Sequence, residues 1–137
     1  MSDIKHALFM ISVARRDLLA LAHMLDPEIF HDEAFGFHAQ QAVEKAIKAW
    51  LSLRGVVYPH KHDLALLFDL LAQTGESGAE PFRGLTELRD YATWIRYGYA
   101  SREPLDRPAT VESVTRLVET AGRAIADVAG ERPASGQ

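Results

Sequence analysis

The sequence predicts an all-α protein, an up-and-down bundle of four or five helices. Apolar residues recur at three- and four-residue spacing in five segments, no segment alternates apolar and polar residues as a strand does, and no solenoid-type repeat occurs. Hydrophobic residues make up 47% of the 137 residues and charged residues 25%, a balance typical of a globular domain. We expect one helical domain over residues 1–129 and a flexible tail over residues 130–137.

The first two helices are predicted from apolar stripes and their end signals. The first helix, over residues 3–24, ends before Pro27, and Asp32 is then expected to cap a second helix over residues 33–54 that Gly55 ends. The first stripe comprises Leu8, Ile11, Ala14, Leu18, Leu21 and Leu25. The second comprises Phe35, Ala39, Ala42, Val43, Ala46, Ile47, Trp50 and Leu51.

Three further helices follow a loop that contains Pro59. The third begins at His62 or Asp63 and ends in the turn-forming run 74–78, and the fourth begins near Pro81. Residues 101–109 contain two prolines and are predicted to connect the fourth helix to a fifth that starts near Val111. The three stripes comprise Leu64, Leu67, Phe68 and Leu71; Leu85, Leu88, Ala92 and Ile95; and Val111, Val114, Leu117, Val118, Ala121, Ile125 and Val128.

Charge and cysteine content exclude several classes of function. Lys and Arg number 15 against 19 Asp and Glu, a net charge of −4, so any nucleic-acid contact has to come from a local basic patch. The absence of cysteine excludes a disulfide framework, a Cys-based zinc site and a thiol nucleophile. Arg15, Arg16 and Asp17 interrupt the first apolar stretch, so we expect no membrane association, no signal peptide and a cytoplasmic location.

Metal and cofactor motifs are weak or missing. No P-loop, dinucleotide-binding glycine motif or hydrolase nucleophile elbow occurs. Glu28 and His31 form one Glu-x-x-His pair where a di-iron bundle needs two. His60 and His62 provide two ligands where zinc needs three or four, so a capping role for His62 or Asp63 is favoured. We predict no metal and no cofactor.

Two polar faces are candidate binding surfaces. On the second helix, His38, Gln41, Lys45 and Lys48 form a stripe that is either a solvated face, with Glu44 paired to Lys48, or one wall of an anion-binding groove. On the fourth helix, Arg89 and Arg96 share a face and stand about 10 Å apart, a span suited to neighbouring phosphates. The aromatic residues near them are Tyr91, Trp94, Tyr97 and Tyr99. These rings either stack on bases or pack in the core or a dimer interface.

The order of these features along the chain is similar to that of a known family. The matching features are the segment 37–51, Gly55, the run 62–64 with Leu67, and Leu88, Tyr91, Ala92, Arg96 and Tyr97. Together they resemble the HEPN domain of prokaryotes. The resemblance implies a helical bundle that forms a homodimer, is often encoded beside a minimal nucleotidyltransferase as a toxin–antitoxin pair, and acts on RNA or nucleotides.

Many HEPN proteins are metal-independent ribonucleases with an Arg followed four to six residues later by His. In this sequence Trp94 stands five residues after Arg89, in the place of that His. Since indole exchanges no proton near neutral pH, we expect a non-catalytic module in which Arg89, Arg96 and Tyr97 contact the ligand. The alternatives are a ribonuclease toxin that uses Arg89 or Arg96 with His38 or His60, and a subunit modified with nucleotide on Tyr97 or Tyr99.

Overall fold

The fold is an all-α bundle, as predicted. The computed structural model describes residues 2–91 and 104–134 and contains within them four α-helices, one 3₁₀ segment and no strand. The helices are α1 (Ile4–Ala22), α2 (Asp32–Leu53), α3 (Leu64–Gln73) and α4 (Arg107–Ala134), and the 3₁₀ segment (Glu80–Asp90) lies between α3 and α4. Among the described helices, none combines the length and apolarity that a bilayer crossing needs.

The central element is α2, which packs against α1, α3, α4 and the 3₁₀ segment. Fifteen of its 22 residues are buried, so it is surrounded on most of its circumference. Its apolar stripe is rich in alanine, which lets neighbouring backbones approach closely. The bulky core side chains Phe35, Ile47 and Trp50 fill the remaining space and are at most 2% exposed.

The direction of α4 follows from its contacts with α1. The Arg107 side chain, at the start of α4, donates to the carbonyl of Met24, just after the end of α1. Further along α4, Gly122 lies against Ile11, since a Cβ there would stand 3.9 Å from the Ile11 Cγ1 atom. The helix α4 therefore runs antiparallel to α1 and begins beside the start of α2.

Most helix ends agree with the sequence prediction, and one predicted cap is wrong. The Asp63 carboxylate accepts from the Leu66 amide at 3.2 Å and caps α3, and Gly55 follows α2 with a positive φ of 80°. Asp32 does not cap α2, because the N-cap is His31 and makes no side-chain cap bond. The Asp32 carboxylate instead accepts from the guanidinium of Arg107 at 2.7 Å.

The predicted fourth helix begins where expected but has 3₁₀ geometry as far as Asp90. Side chains three residues apart eclipse in a 3₁₀ helix, and the pair Glu80 and Arg83 uses that alignment with an ion pair of 2.8 Å. Gly84 follows and lowers the preference for α geometry. The α-helical period of 3.6 residues per turn therefore does not apply to residues 80–90.

The fifth predicted helix, α4, begins four residues earlier than expected, at Arg107. The Asp106 carboxylate accepts from the Ala109 amide at 3.1 Å and caps the first turn, and Pro108 is tolerated there because a first-turn amide has no intrahelical acceptor. The predicted connection over residues 101–109 is therefore too long, because its last three residues belong to α4. At its other end α4 continues past Gly130 to Ala134, and the flexible tail stays a prediction.

A glycine in the second turn of α2 makes room for Tyr91. Tyr91 is 1% exposed, and a Cβ at Gly36 would overlap its ring. A glycine inside a helix costs about 1 kcal/mol relative to alanine, so this close approach gives a physical reason for the residue. Of the two roles predicted for Tyr91, the structure supports core packing and leaves its ring unavailable for stacking on a base.

Candidate functional site

A line of buried polar side chains runs along α2 at every fourth position. Gln40, Glu44, Lys48 and Ser52 are 0, 1, 7 and 4% exposed. Positions four apart share one face of an α-helix, so these residues form a continuous line that we call the buried polar stripe. A buried polar group is costly unless it is hydrogen-bonded, and the partners of the stripe therefore define its role.

Glu44 is the anion at the centre of the buried polar stripe. It accepts hydrogen bonds from the Gln40 amide and the Lys48 ammonium, each at 2.8 Å, and the His62 Nδ1 atom lies 2.9 Å away. Burial alone would raise the pKa of Glu44, but the hydrogen bonds from Lys48, His62 and Gln40 and the positive charge of Lys48 outweigh burial and lower this pKa. Glu44 is therefore ionised inside the fold, and its predicted pairing with Lys48 is confirmed.

Tyr58, from the loop between α2 and α3, covers the stripe. The Lys48 Nζ atom lies 5.1 Å from the centroid of the Tyr58 ring, within range of a cation–π interaction. The Tyr58 hydroxyl lies 2.6 Å from His6 Nε2 on α1. Burial raises the pKa of Tyr58, and the charge of Glu44 raises it further, so the hydroxyl stays protonated and can donate a hydrogen bond to His6 Nε2. One polar chain thus connects α2, this loop and α1.

The stripe ends at Ser52, in a cavity of about 400 Å³ between the start of α1 and the loop after α2. We call this the Ser52 cavity. The Asp3 amide donates to the Ser52 carbonyl at 2.9 Å, which fixes the start of α1 to the end of α2. The cavity is lined by Asp3, His6, Ser52, Gly55, Val56, Val57, Tyr58 and His60.

The other residues of the predicted α2 face have more local partners. Lys45 donates to the Gln41 side chain at 2.6 Å, and Gln41 donates to Gln40 at 2.7 Å, so both join the buried polar stripe from its side. His38 faces α1, where its Nδ1 atom lies 3.5 Å from an oxygen of Asp17. The structure therefore divides the predicted face of four residues between two environments.

Arg89 lies on a different surface. Its side chain is exposed and makes no ion pair or hydrogen bond with the residues that the structure describes. It lines a second cavity of about 390 Å³, which we call the Arg89 cavity. The other residues lining it are Gly84, Leu85, Glu87, Leu88, Asp90, Tyr91, Leu105 and Thr110. Trp94, Arg96, Tyr97 and Tyr99 lie outside the described residues.

The histidines predicted as partners for Arg89 lie in other parts of the folded structure. His60 lines the Ser52 cavity, and His38 lies beside Asp17. Neither lines the Arg89 cavity. In residues 2–91 and 104–134 there is also no cluster of three metal-ligating side chains, and the Nδ1 atom of His62 lies 2.9 Å from Glu44 Oε1.

Several residues of this site were not predicted from the sequence, namely Asp3, His6, Gln40, Ser52 and Tyr58. One signal for them was present, because Gln40, Glu44, Lys48 and Ser52 recur at four-residue spacing within a helix. Their partners left no such signal. Tyr58 and His6 are 52 residues apart in the chain, and only the folded structure brings their side chains together.

Comparison with known proteins gives one match. The sequence model of the HEPN domain matches residues 7–131, which is most of the chain and includes the buried polar stripe and Arg89. The chain belongs to the HEPN family. No curated protein and no solved structure matches it. The HEPN resemblance seen in the sequence is therefore confirmed at the level of the family, and the helical bundle agrees with it.

Within this HEPN domain, the two cavities differ in how they relate to the family motif. Arg89 is the residue predicted from the sequence to be the motif arginine, and its cavity is lined by the 3₁₀ segment together with Leu105 and Thr110. The Ser52 cavity is formed by other elements, and its residues Asp3 and His6 precede the matched range. The two surfaces therefore call for separate functional interpretations.

Proposed function

We propose that this HEPN chain is a non-catalytic module that binds RNA or a nucleotide, forms a homodimer and pairs with a minimal nucleotidyltransferase in a toxin–antitoxin-type system. The observation that carries the proposal is the combination of the family match with Trp94 in place of the motif histidine. Metal-independent cleavage of RNA requires a group that takes up and returns a proton. Indole is a donor only and does not perform that exchange.

Arg89 supports the binding part of the proposal. The Arg89 guanidinium is exposed and has no ion pair with the residues that the structure describes, so it can bind a phosphate, and its planar fork donates to phosphate oxygens in a bidentate arrangement. Arg96 and Tyr97 would extend this surface with a second cation and a ring that stacks on a base. Lys45, beside the buried polar stripe, is a further candidate for phosphate contact.

Exposed apolar residues support the homodimer. Leu8, Phe9 and Leu19 on α1 are 45, 58 and 64% exposed, more apolar surface than one helix of a monomer needs to present to water. The HEPN resemblance also implies a homodimer of two copies of the chain. Light scattering that shows a 15.2 kDa particle at micromolar concentration would contradict the homodimer.

We expect the protein to bind single-stranded RNA without cleaving it, and Arg89→Ala to weaken that binding. Loss of one phosphate contact should reduce affinity across RNA sequences. It should also make the negative slope of log K against log salt shallower by about 1. Arg83→Ala is the matched control, because Arg83 lies in the same 3₁₀ segment and is already paired with Asp69 and Glu80. Fluorescence anisotropy with labelled RNA at several salt concentrations measures both variants.

A metal-independent endoribonuclease is the second candidate, favoured by the position of His38 beside Asp17. A carboxylate next to Nδ1 can orient an imidazole for proton transfer at Nε2. Incubation of the protein with total RNA and EDTA separates the two candidates. Cleavage that disappears in both Arg89→Ala and His38→Ala would overturn the non-catalytic proposal, whereas intact RNA supports it.

A further inference from the structure

The Ser52 cavity contains polar groups that the fold leaves without partners. Asp3 Oδ1 accepts from the His6 amide at 3.0 Å and caps α1, while Asp3 Oδ2 has no partner among the described residues. Ser52 is 4% exposed, and its hydroxyl also makes no hydrogen bond in the described part of the chain. The hydroxyl is accessible from the cavity that Ser52 lines, so a ligand there can supply a hydrogen-bond partner.

The walls of the Ser52 cavity suit a flat, partly apolar ligand. The rings of His6 and Tyr58 are joined by their hydrogen bond and inclined to each other by 27°, with centroids 5.9 Å apart, and Val57 on the loop is 97% exposed. The volume of about 400 Å³ is within the range of cavities that hold small organic ligands. A heterocyclic base offers the flat face that such walls contact, as bases do on aromatic platforms of RNA-binding proteins.

The Oδ2 atom of Asp3, which the cap of α1 does not use, decides which base fits. A carboxylate accepts hydrogen bonds and donates none. Guanine presents two adjacent donors on its Watson–Crick edge, N1–H and the 2-amino group, whereas adenine and cytosine present one amino group beside an acceptor. An acceptor of the ligand placed against Asp3 would be left unpaired, which is the costly case in recognition.

We propose that the Ser52 cavity binds a guanine base, with Asp3 accepting from its Watson–Crick edge, Ser52 completing the polar contacts and the base lying against Tyr58 and Val57. Lys5 and Lys61, which are exposed and make no ion pair within the described residues, stand next to this cavity in the chain and are available for a phosphate. The base comes either from a free guanine nucleotide or from single-stranded RNA. The site is separate from the Arg89 cavity and does not depend on RNA binding there.

The test uses Asp3→Asn, which reverses the hydrogen-bonding character of the side chain and keeps the helix cap. Asparagine caps helices about as well as aspartate, so α1 is retained. Its amide donates to the 2-oxo group of xanthine and opposes the 2-amino group of guanine. The matched control is Asp63→Asn, the same change at the N-cap of α3, away from the residues lining the cavity.

NMR titrations of ¹⁵N-labelled full-length protein with GMP, AMP, CMP and XMP give affinity and location together. We expect GMP to bind at least about tenfold more tightly than AMP or CMP, as one hydrogen bond to a charged group predicts, with shifts at Ser52 and residues 55–58. Asp3→Asn should lose about tenfold for GMP and gain XMP binding, while Asp63→Asn behaves as the wild type. A uridine heptamer with one central guanosine, compared with the all-uridine heptamer, tests whether RNA supplies the guanine base.

Binding of GMP supports a free nucleotide as ligand, and binding of the guanosine-containing RNA without GMP supports RNA. Equal affinity for all four mononucleotides, no binding of either guanine source, or an unchanged preference in Asp3→Asn would overturn the proposal. Failure of RNA binding at Arg89 would leave it intact, because the titration distinguishes shifts at Ser52 and residues 55–58 from shifts at the residues that line the Arg89 cavity.

Discussion

Replacing Arg107 with alanine is expected to lower the free energy of unfolding by about 3 kcal/mol, the scale for removing a buried charged group that satisfies several acceptors. Arg107 is 5% exposed. It donates to the carbonyls of Met24 and Phe30 at 2.8 and 2.7 Å and to the Asp32 carboxylate at 2.7 Å. Its guanidinium also lies 4.9 Å from the ring centroid of Phe35. Alanine leaves both carbonyls unpaired and a space against Phe35.

This one side chain joins the α1–α2 connection, the start of α2 at Asp32 and the start of α4. The carbonyls of Met24 and Phe30 belong to the connection between α1 and α2, and Arg107 itself begins α4. Backbone carbonyls in such a connection have no helical partners of their own. The loss of Arg107 therefore weakens the position of the α1–α2 connection and the start of α4 at the same time.

Urea unfolding monitored by far-UV circular dichroism measures the change, and Arg83→Ala is the matched control. Arg83 also makes ion pairs with carboxylates and lies 5.5 Å from the ring centroid of Phe68, but its side chain is 35% exposed. Exposed ion pairs contribute about 0–1 kcal/mol, so Arg83→Ala should cost less than 1 kcal/mol by the same rule. An equal loss of unfolding free energy in the two variants would contradict the prediction that the buried Arg107 stabilises the fold more than the partly exposed Arg83 does.

The helices α1, α2 and α3 could be predicted from the sequence to within about two residues. Their apolar stripes are regular, and their ends carry local signals such as Asp63 and Gly55. These signals depend on residues close together in the chain, so they can be recognised without the fold. The same holds for the Glu44–Lys48 pair, since its partners are one turn apart.

Arg107 and the Ser52 cavity could not be predicted in this way. Arg107 stands between prolines in a segment with the composition of a connection, and its acceptors are about 80 residues distant in the chain. In the sequence, Ser52 cannot be told apart from an ordinary surface residue of a helix. Only the fold places it in one cavity with Asp3 and Tyr58. In both cases the chemistry arises from tertiary contacts between segments that show no mutual signal in the sequence.

The second large effect is expected for Glu44→Gln, which should lower the free energy of unfolding at pH 7 by about 3 kcal/mol. This value is the lower end of the range of energies lost when one partner of a buried ion pair is removed. Glutamine has nearly the same shape and leaves Lys48, 7% exposed, without its counter-charge. Lys48 then loses its ion pair, and its remaining contacts are the neutral glutamine side chain and the Tyr58 ring. Replacing both residues, in Glu44→Gln with Lys48→Met, should recover part of the loss because no unpaired charge remains.

The pH dependence has a definite sign. The pKa of Glu44 is lower in the folded protein than its ordinary value of 4.5, so the folded state favours the ionised form. The stability that this charge contributes is present above the unfolded pKa and is lost as the pH falls through the folded pKa. The difference in stability between wild type and Glu44→Gln should therefore be constant near neutral pH and shrink below about pH 4.5.

Urea midpoints for the two proteins, measured from pH 7 down to about pH 3.5, test this expectation. Glu112→Gln is the matched control, because Glu112 and Arg116 have the same four-residue spacing on α4 at 4.0 Å but are 72 and 69% exposed. That pair should contribute at most about 0.5 kcal/mol. If Glu44→Gln and Glu112→Gln have equal effects, or if the wild-type advantage grows towards acid pH, Glu44 is not the ionised anchor of the buried polar stripe.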